Sequence, residues 1–375
     1  MNTAHARPVT ILTGFLGAGK TTFLNALMKS YPKKRFAIIE NEIGQLNIDS
    51  SLLNENYGQL VALQEGCICC TLNDELYTAL ESLYQKQDSF DELVIECTGL
   101  AIPDAITEPF TRHPVFKSYF PLKKIICLVD AALIEDQIKE RDEVLRQITA
   151  ADVIVINKTE AVHSAYLSYL SNYLAHVNPL AKTLQSTVTE GFPFEIIEEI
   201  KYTKKIEAFS FLKNVNLSSS LILGKSSLAK QHLSDIATRV YTFAEEFNFV
   251  NLFLGLSKLV GKYPNKIYRM KGIGYKKECE VWHYYNDELG YHCYSGWFHF
   301  KGSFQDNNYV NQTNEICPVI DLIPQTVGSR VDMDYGNHWK KDERKMNTLV
   351  FIGKELDSLS IQDLLIRMLT IKEKQ

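Results

Sequence analysis

The chain is 375 residues long, 45% hydrophobic, and carries a formal net charge of -5. That length supports two ordinary domains, each with its own core. The mildly acidic balance offers no electrostatic footprint for nucleic acid or an anionic membrane, so neither is expected as a partner. No apolar run approaches the roughly 18 residues that a membrane span needs. The opening, "MNTAHARPVTILTG", lacks the basic start, long apolar stretch and small-residue cleavage site of a secretory leader. A soluble, cytoplasmic chain is therefore expected. Thiols stay reduced in that compartment, so clustered cysteines read as metal ligands or redox groups rather than disulfides.

Taken in order, "PVTILTG", "RFAIIE", "QLVALQE", "ELVIECTG", "KIICLVDA" and "DVIVINK" are short apolar runs rich in β-branched residues, and each predicts a buried strand. Helical patterns lie between them at Thr21 to Lys29, Leu72 to Tyr84, Ala131 to Ile148 and Ala161 to His176. Strands alternating with helices predict an α/β fold with a mostly parallel sheet covered on both faces. The pattern changes near residue 203. A helix is expected around Leu228 to Phe247. An aromatic-rich region then alternates as antiparallel strands do, and a strand "NTLVFIG" and a helix from Ser360 to about Lys372 close the chain. The division expected is residues 1–203 as a P-loop domain and 204–375 as a smaller α+β domain.

"GFLGAGKT", Gly14 to Thr21, has the spacing of a phosphate-binding loop, with a strand before it and a helix after it. Its glycines let backbone N–H groups turn toward phosphate oxygens, and the helix N-terminus adds its positive dipole end. Lys20 would reach the β/γ-phosphates and the Thr21 hydroxyl would bind Mg²⁺. "VINKTE" puts Asn157, Lys158 and Glu160 at the spacing of a guanine-reading motif. A carboxylate at Glu160 can accept the N1 and 2-amino protons of guanine, an arrangement that adenine does not offer. Glu replaces the commoner Asp, so the carboxylate reaches one methylene further. Glu96 ends the run "LVIE" at a strand's C-terminal edge, where it could join the Mg²⁺ shell or order the attacking water. Asp130 ends another run, and an N-cap role is the plainer reading.

Of the 8 cysteines, Cys67, Cys69 and Cys70 form the one tight cluster, in "GCICC". A turn there could converge three thiolates on Zn²⁺ or another thiophilic divalent ion, with a fourth position left open. A redox pair is the alternative, and the missing C-x-x-C spacing counts against it. Cys127, inside an apolar run, reads as a small buried hydrophobe. Upstream, alternation puts Glu40 and Glu42 on the same side of an extended segment. His283, His292, Cys293 and His299 lie among aromatic strands, where packed or surface residues are a better account than a second metal site.

Together "GFLGAGKTT", "ENEIGQLNID", "GCICC", "IECTGLAIP", "LVDA", "NKTE" with a later "NPLA", "YRMKGI" and "LVFIG" resemble the CobW-like metallochaperone GTPases, over nearly the whole chain. The resemblance implies slow GTP hydrolysis coupled to carrying Zn²⁺, Co²⁺ or a similar ion to a client metalloprotein. It implies that the stretch Gly17, Ala18, Gly19, Lys20, Thr21 and Thr22 holds phosphates and Mg²⁺. It implies further that Cys67, Cys69 and Cys70 hold the transferred ion with Glu40 or Glu42 nearby, and that Asn157, Lys158 and Glu160 read guanine. Gln45 stands where the family often has a further Glu, and no His-rich linker is present. A regulatory GTPase whose cysteines sense metal or oxidant, or a scaffold with a structural nucleotide, stays open as a rival. The oligomeric state is not legible.

Overall fold

A computed structural model of the chain describes residues 6–40, 59–62, 71–200, 236–273, 283–287, 290–295, 298–301, 318–322, 331, 334–335 and 346–369. Glu42, Gln45, Cys67, Cys69 and Cys70 lie outside these residues, as does the expected boundary at 203/204.

The first domain is built on a seven-stranded sheet. In chain order its strands are β1 (Val9–Thr13), β2 (Phe36–Glu40), β3 (Gln59–Ala62), β4 (Glu92–Glu96), β5 (Leu122–Asp130), β6 (Val153–Asn157) and β7 (Lys182–Gln185). Their order across the sheet is β3-β2-β4-β1-β5-β6-β7, and each of these neighbouring pairs is parallel. β1, β4 and β6 are buried along their whole length, which is why they read as unbroken apolar runs. The helices are α1 (Lys20–Ser30), α2 (Thr71–Gln85), α3 (Pro103–Arg112), α4 (Pro114–Tyr119), α5 (Ile134–Glu140), α6 (Asp142–Ala150), α7 (Ser164–Val177) and α8 (Phe194–Glu199). One core packs α2, α3 and α4 on one face of the sheet, and another packs α1 and α8 on the opposite face.

The sequence reading needs correction at several points. The single helix expected over Ala131 to Ile148 is two, because Arg141 is extended (φ -139°, ψ 117°) and α6 restarts with Asp142 and Glu143 in its first turn. β7 was not foreseen. Neither were α3 and α4, which contain Pro103, Pro109 and Pro114; Pro103 and Pro114 occupy first-turn positions that tolerate proline.

The second domain holds a five-stranded sheet ordered β14-β13-β9-β15-β8 and a separate three-stranded meander. The strands are β8 (Ile236–Phe243), β9 (Ile267–Ile273), β10 (His283–Asp287), β11 (Gly290–Ser295), β12 (Phe298–Lys301), β13 (Pro318–Leu322), β14 (Asp334–Tyr335) and β15 (Asn347–Lys354). Their pairings are antiparallel, as the alternation predicted. The helix expected over Leu228 to Phe247 is wrong for residues 236–243. "IATRVYTF" has β-branched residues at every second position and pairs with β15 residue for residue. The helix comes later, as α9 (Phe249–Lys262), with the Asn248 side chain capping it. The closing helix α10 (Ile361–Ile366) is shorter than expected.

Helices α9 and α10 cover one face of the five-stranded sheet. Its other face packs Ile236, Tyr268, Val350 and Ile352 into the same core as Ile148, Leu170, Leu174 and Val177 of α6 and α7. In the meander, the register aligns His283, Tyr294 and His299 in one row, while Cys293 pairs with Tyr284 and Phe300. Among the described residues no helix is long and apolar enough to cross a membrane, and no three His, Cys, Asp or Glu residues are grouped to hold a metal ion.

Candidate functional site: a nucleotide edge

The strand order reverses at β1, whose neighbours are β4 and β5. Ligands of open α/β sheets bind beyond the carboxyl ends of the strands at such a point. Here that edge carries Gly14 after β1, Glu40 at the end of β2, Glu96 at the end of β4, Asp130 at the end of β5 and Asn157 at the end of β6. Registry sets Glu96 level with Leu12 on one side and with Glu40 on the other.

The loop between β1 and α1 needs its glycines for two different reasons. At Gly14 a Cβ would collide with the backbone oxygen of Leu128 on the neighbouring strand. Gly17 (φ 77°) and Gly19 (φ 97°) are left-handed, a conformation costing other residues about 1–2 kcal/mol each. The loop closes on itself through the Ala18 N–H, which donates to the Phe15 carbonyl (3.2 Å). Gly19 precedes α1 and supplies no side-chain cap, so the first-turn amides keep the character of an anion site. Lys20, buried, donates to the carbonyls of Gly14 (2.9 Å) and Phe15 (3.3 Å). Thr21 Oγ1 donates to Glu96 Oε1 at 2.9 Å. A hydroxyl and a carboxylate oxygen this close form a hard-oxygen donor pair of the kind Mg²⁺ prefers. Thr22, one residue on, is exposed.

The base-side residues meet the same loop. Asn157 Nδ2 donates to the Ala18 carbonyl (2.9 Å), and a Cβ at Gly19 would come within 2.5 Å of that amide nitrogen. Lys158, left-handed at φ 58°, donates to the Gly17 carbonyl (2.9 Å) and pairs with Asp130 Oδ2 (2.8 Å). Glu160 is exposed in the short 3-10 turn Thr159–Ala161. Thr159 Oγ1 in turn donates to the Ser186 carbonyl beyond β7 (3.0 Å). The structure thus brings together Gly14, Gly17, Ala18, Gly19, Lys20, Thr21, Glu96, Asn157 and Lys158.

Sequence reasoning undervalued Asp130. One of its oxygens accepts from the Ala132 N–H (2.9 Å), as a turn-starting Asp does, but the other holds Lys158. Its place at a strand end opposite Asn157 was the available signal. Ser186 and Gln147 had none, since their bonds reach residues far along the chain. Asn178, in "NPLA", gathers the carbonyls of Ile148, Thr149 and Ala151 and so closes the end of α6. Cys97, next to Glu96, is fully buried, and burial pushes its thiol up to about 12. Cys127 is the same, as expected of a buried hydrophobe. Without a metal ion, both stay protonated at neutral pH.

A parallel sheet with a G-x-x-x-x-G-K-T loop after β1, tied to an N-K-x-E turn after β6, defines a P-loop nucleotide-binding protein. Comparison with known families narrows this further. The model described as "CobW/HypB/UreG, nucleotide-binding domain" matches residues 8–185, and "Cobalamin synthesis protein cobW C-terminal domain" matches 322–369. Together they cover more than half of the chain, which belongs to the CobW family.

Among curated relatives, zinc-regulated GTPase metalloprotein activator 1 of Schizosaccharomyces pombe is 34% identical over 221 residues, covering 57% of this chain and 52% of that protein. Zinc chaperone YjiA of Escherichia coli is 39% identical over 187 residues, covering 49% of this chain and 58% of that protein. The matches thus span little more than half of those relatives' length. In fold, a crystal structure of a zinc-bound triple mutant of the YjiA GTPase superposes with a TM-score of 0.65 at 23% identity, covering 99% of this chain and 100% of that one.

Proposed function

We propose that this chain is a GTP-hydrolysing metallochaperone that binds one thiophilic divalent ion, zinc in the first place and cobalt in the second. It would hold the ion at Cys67, Cys69 and Cys70, with Glu40 or Glu42 beside them, and pass it to a client metalloprotein according to the nucleotide bound. The names of the relatives support zinc and a client. The observation that carries the coupling is topological. β3 ends at Ala62 on the same sheet edge as Glu40 and Glu96, and α2 begins at Thr71. The elements that flank the three cysteines in sequence are therefore β3, whose end is level with Glu40 and Glu96, and α2. Segments so placed are ordered or released by a γ-phosphate in switch GTPases.

In this reading the amides of Gly17 and Gly19 and the Lys20 ammonium cradle the phosphates, with the Ala18 N–H released from the Phe15 carbonyl to join them, and Asn157, Lys158 and Glu160 read guanine. The Thr21 hydroxyl and the Glu96 carboxylate would hold Mg²⁺, which would neutralise phosphate charge. The Glu96 carboxylate is also the candidate to order an attacking water. Asp130 fixes the Lys158 ammonium against the Gly17 carbonyl, so phosphate and base segments move as one unit.

The test is a titration of the full chain with Zn²⁺ and Co²⁺ in the presence of a GTP analogue or GDP. One ion per chain is expected, held more tightly with the GTP analogue. Linkage requires the metal to tighten binding of that nucleotide by the same factor. Unchanged metal affinity in both nucleotide states after Cys67→Ser, Cys69→Ser and Cys70→Ser together would refute the site and the mechanism built on it.

A further inference from the structure

Helix α6 is gripped on two sides by different parts of the molecule. On one side Gln147, fully buried, donates through Nε2 to the carbonyls of Gly99 and Ala101, both at 3.0 Å. These carbonyls belong to the loop that follows Glu96. In that loop Gly99 lies against the phosphate loop, since a Cβ there would come within 2.5 Å of the Leu16 side chain. The Gln147 amide oxygen is buried and has no hydrogen-bond partner among the described residues.

On the other side lies the second domain. Asp142, five residues before Gln147 and so about 140° around the helix, accepts from Tyr268 Oη and Lys354 Nζ, both at 2.6 Å. Arg146 donates to Asn265 (3.1 Å) and lies over the Tyr268 ring (4.8 Å). Arg269 Nη1 donates to the carbonyls of Thr149 (2.9 Å) and Ala151 (2.7 Å), while Nη2 pairs with Asp152 (3.0 Å). A break in strand register makes this grip possible. β15 pairs Ile352 with Arg269 but Gly353 with Ile267, so Tyr268 is the extra residue of a bulge. Strict alternation would send Tyr268 and Arg269 to opposite faces of the sheet; the bulge turns both toward α6.

We propose that α6 couples the second domain to the loop after Glu96, with Gln147 as the positioning residue, so that the second sheet biases the balance between GTP-bound and GDP-bound states. The inference rests on the GTPase reading above and names its regulation. A one-piece helix with the loop bonded to one side and the sheet to the other cannot follow the loop without disturbing Asp142, Arg146 and the Arg269 contacts. The link is a continuous chain of hydrogen bonds and packed groups rather than proximity alone.

The experiment uses the full chain and two readouts. The first is amide hydrogen exchange of residues 99–101 without nucleotide. Tyr268→Phe removes only the hydroxyl that bonds Asp142, and it is expected to speed that exchange at least threefold, as is Lys354→Met. Unchanged exchange in both variants overturns the coupling, whatever nucleotide the protein prefers. The second is the ratio of affinities for a non-hydrolysable GTP analogue and for GDP, measured by displacement of a fluorescent guanine nucleotide. Gln147→Met and Tyr268→Phe should each shift this ratio at least threefold, and the double variant by less than the product of the two. Fully multiplicative effects overturn the shared path. A wild-type chain that binds neither guanine nucleotide sinks the GTPase reading instead, and the exchange measurement still decides the coupling.

Discussion

Replacing Arg269 with Met tests the contact between the two domains at its most buried point. The methionine keeps much of the aliphatic stem and removes the guanidinium. Two groups of partners lose it, and the structure shows how much each suffers. The carbonyls of Thr149 and Ala151 retain the Asn178 side-chain amide at 3.2 Å and 2.9 Å, so neither is orphaned. Asp152 is worse placed. It keeps the Ile125 N–H (2.9 Å) and Lys271 at 3.5 Å, but loses its close cation in a buried setting. Stripping one partner from a buried ion pair costs about 3–5 kcal/mol. The residual partners put this case at the lower end, about 3 kcal/mol, which is a fall in Tm of roughly 6–12 °C for a domain of this size. Thermal unfolding of the full chain without nucleotide, followed by circular dichroism, measures it. Adding Asp152→Asn should restore most of the loss, because the unpaired charge goes with it. A Tm within about 2 °C of wild type, a difference too small for an unpaired buried charge, would show that Lys271 alone satisfies Asp152.

The same carboxylate predicts an acid limb. Burial works to raise Asp152, but the Lys271 and Arg269 cations and the Ile125 amide outweigh it and hold the carboxyl below its usual range. Its contribution is therefore complete above the unfolded value of about 3.9 and is lost as pH falls through the lower folded value. Denaturant titrations between pH 7 and pH 3 should show a steeper loss below about pH 4 in wild type than in Asp152→Asn. Lys20→Ala should abolish GTP turnover while far-ultraviolet circular dichroism stays that of the folded chain; undiminished phosphate release would discard the phosphate-loop assignment. Glu160→Ala should reduce a GTP preference over ATP of at least about tenfold, or about 1.4 kcal/mol, and Glu160→Asp should keep it. Equal affinity of wild type for both nucleotides would refute guanine reading.

What could be read from the sequence follows from how locally each feature is encoded. β1, the phosphate loop and α1 are contiguous, and a fixed spacing between an apolar run and a helical pattern identifies all three. The N-K-x-E turn is similarly local. β7 escaped because "KTLQ" contributes one buried side chain, Leu184. α3 and α4 escaped because proline at a helix start looks like proline in a loop. The helix misplaced onto β8 arose where Thr238, Val240 and Thr242 carry a strand signal whose partner, β15, is far along the chain. Asp130 and Gln147 show the general limit. A single polar residue has no periodicity, and its role exists only once folding supplies Lys158 or the Gly99 carbonyl. The bulge at Tyr268 is of the same kind, since it belongs to a pairing and not to a segment.

The position of β15 has a consequence for how the molecule comes into being. β8 and β9 are not bonded to each other; each pairs with β15, which lies between them. During synthesis β8, α9 and β9 leave the ribosome without the strand that joins them. Their apolar faces wait for Leu349, Val350, Phe351 and Ile352, residues made well after β9. Long-range pairing of this kind is slow, and its open strand edges are the ones prone to wrong partners. The nucleotide edge is different. Its last described bonding partner, Ser186, is made well before β8, and β1 already has both neighbours once β5 exists. The order of synthesis therefore makes the nucleotide-binding sheet available to template the closing of the second.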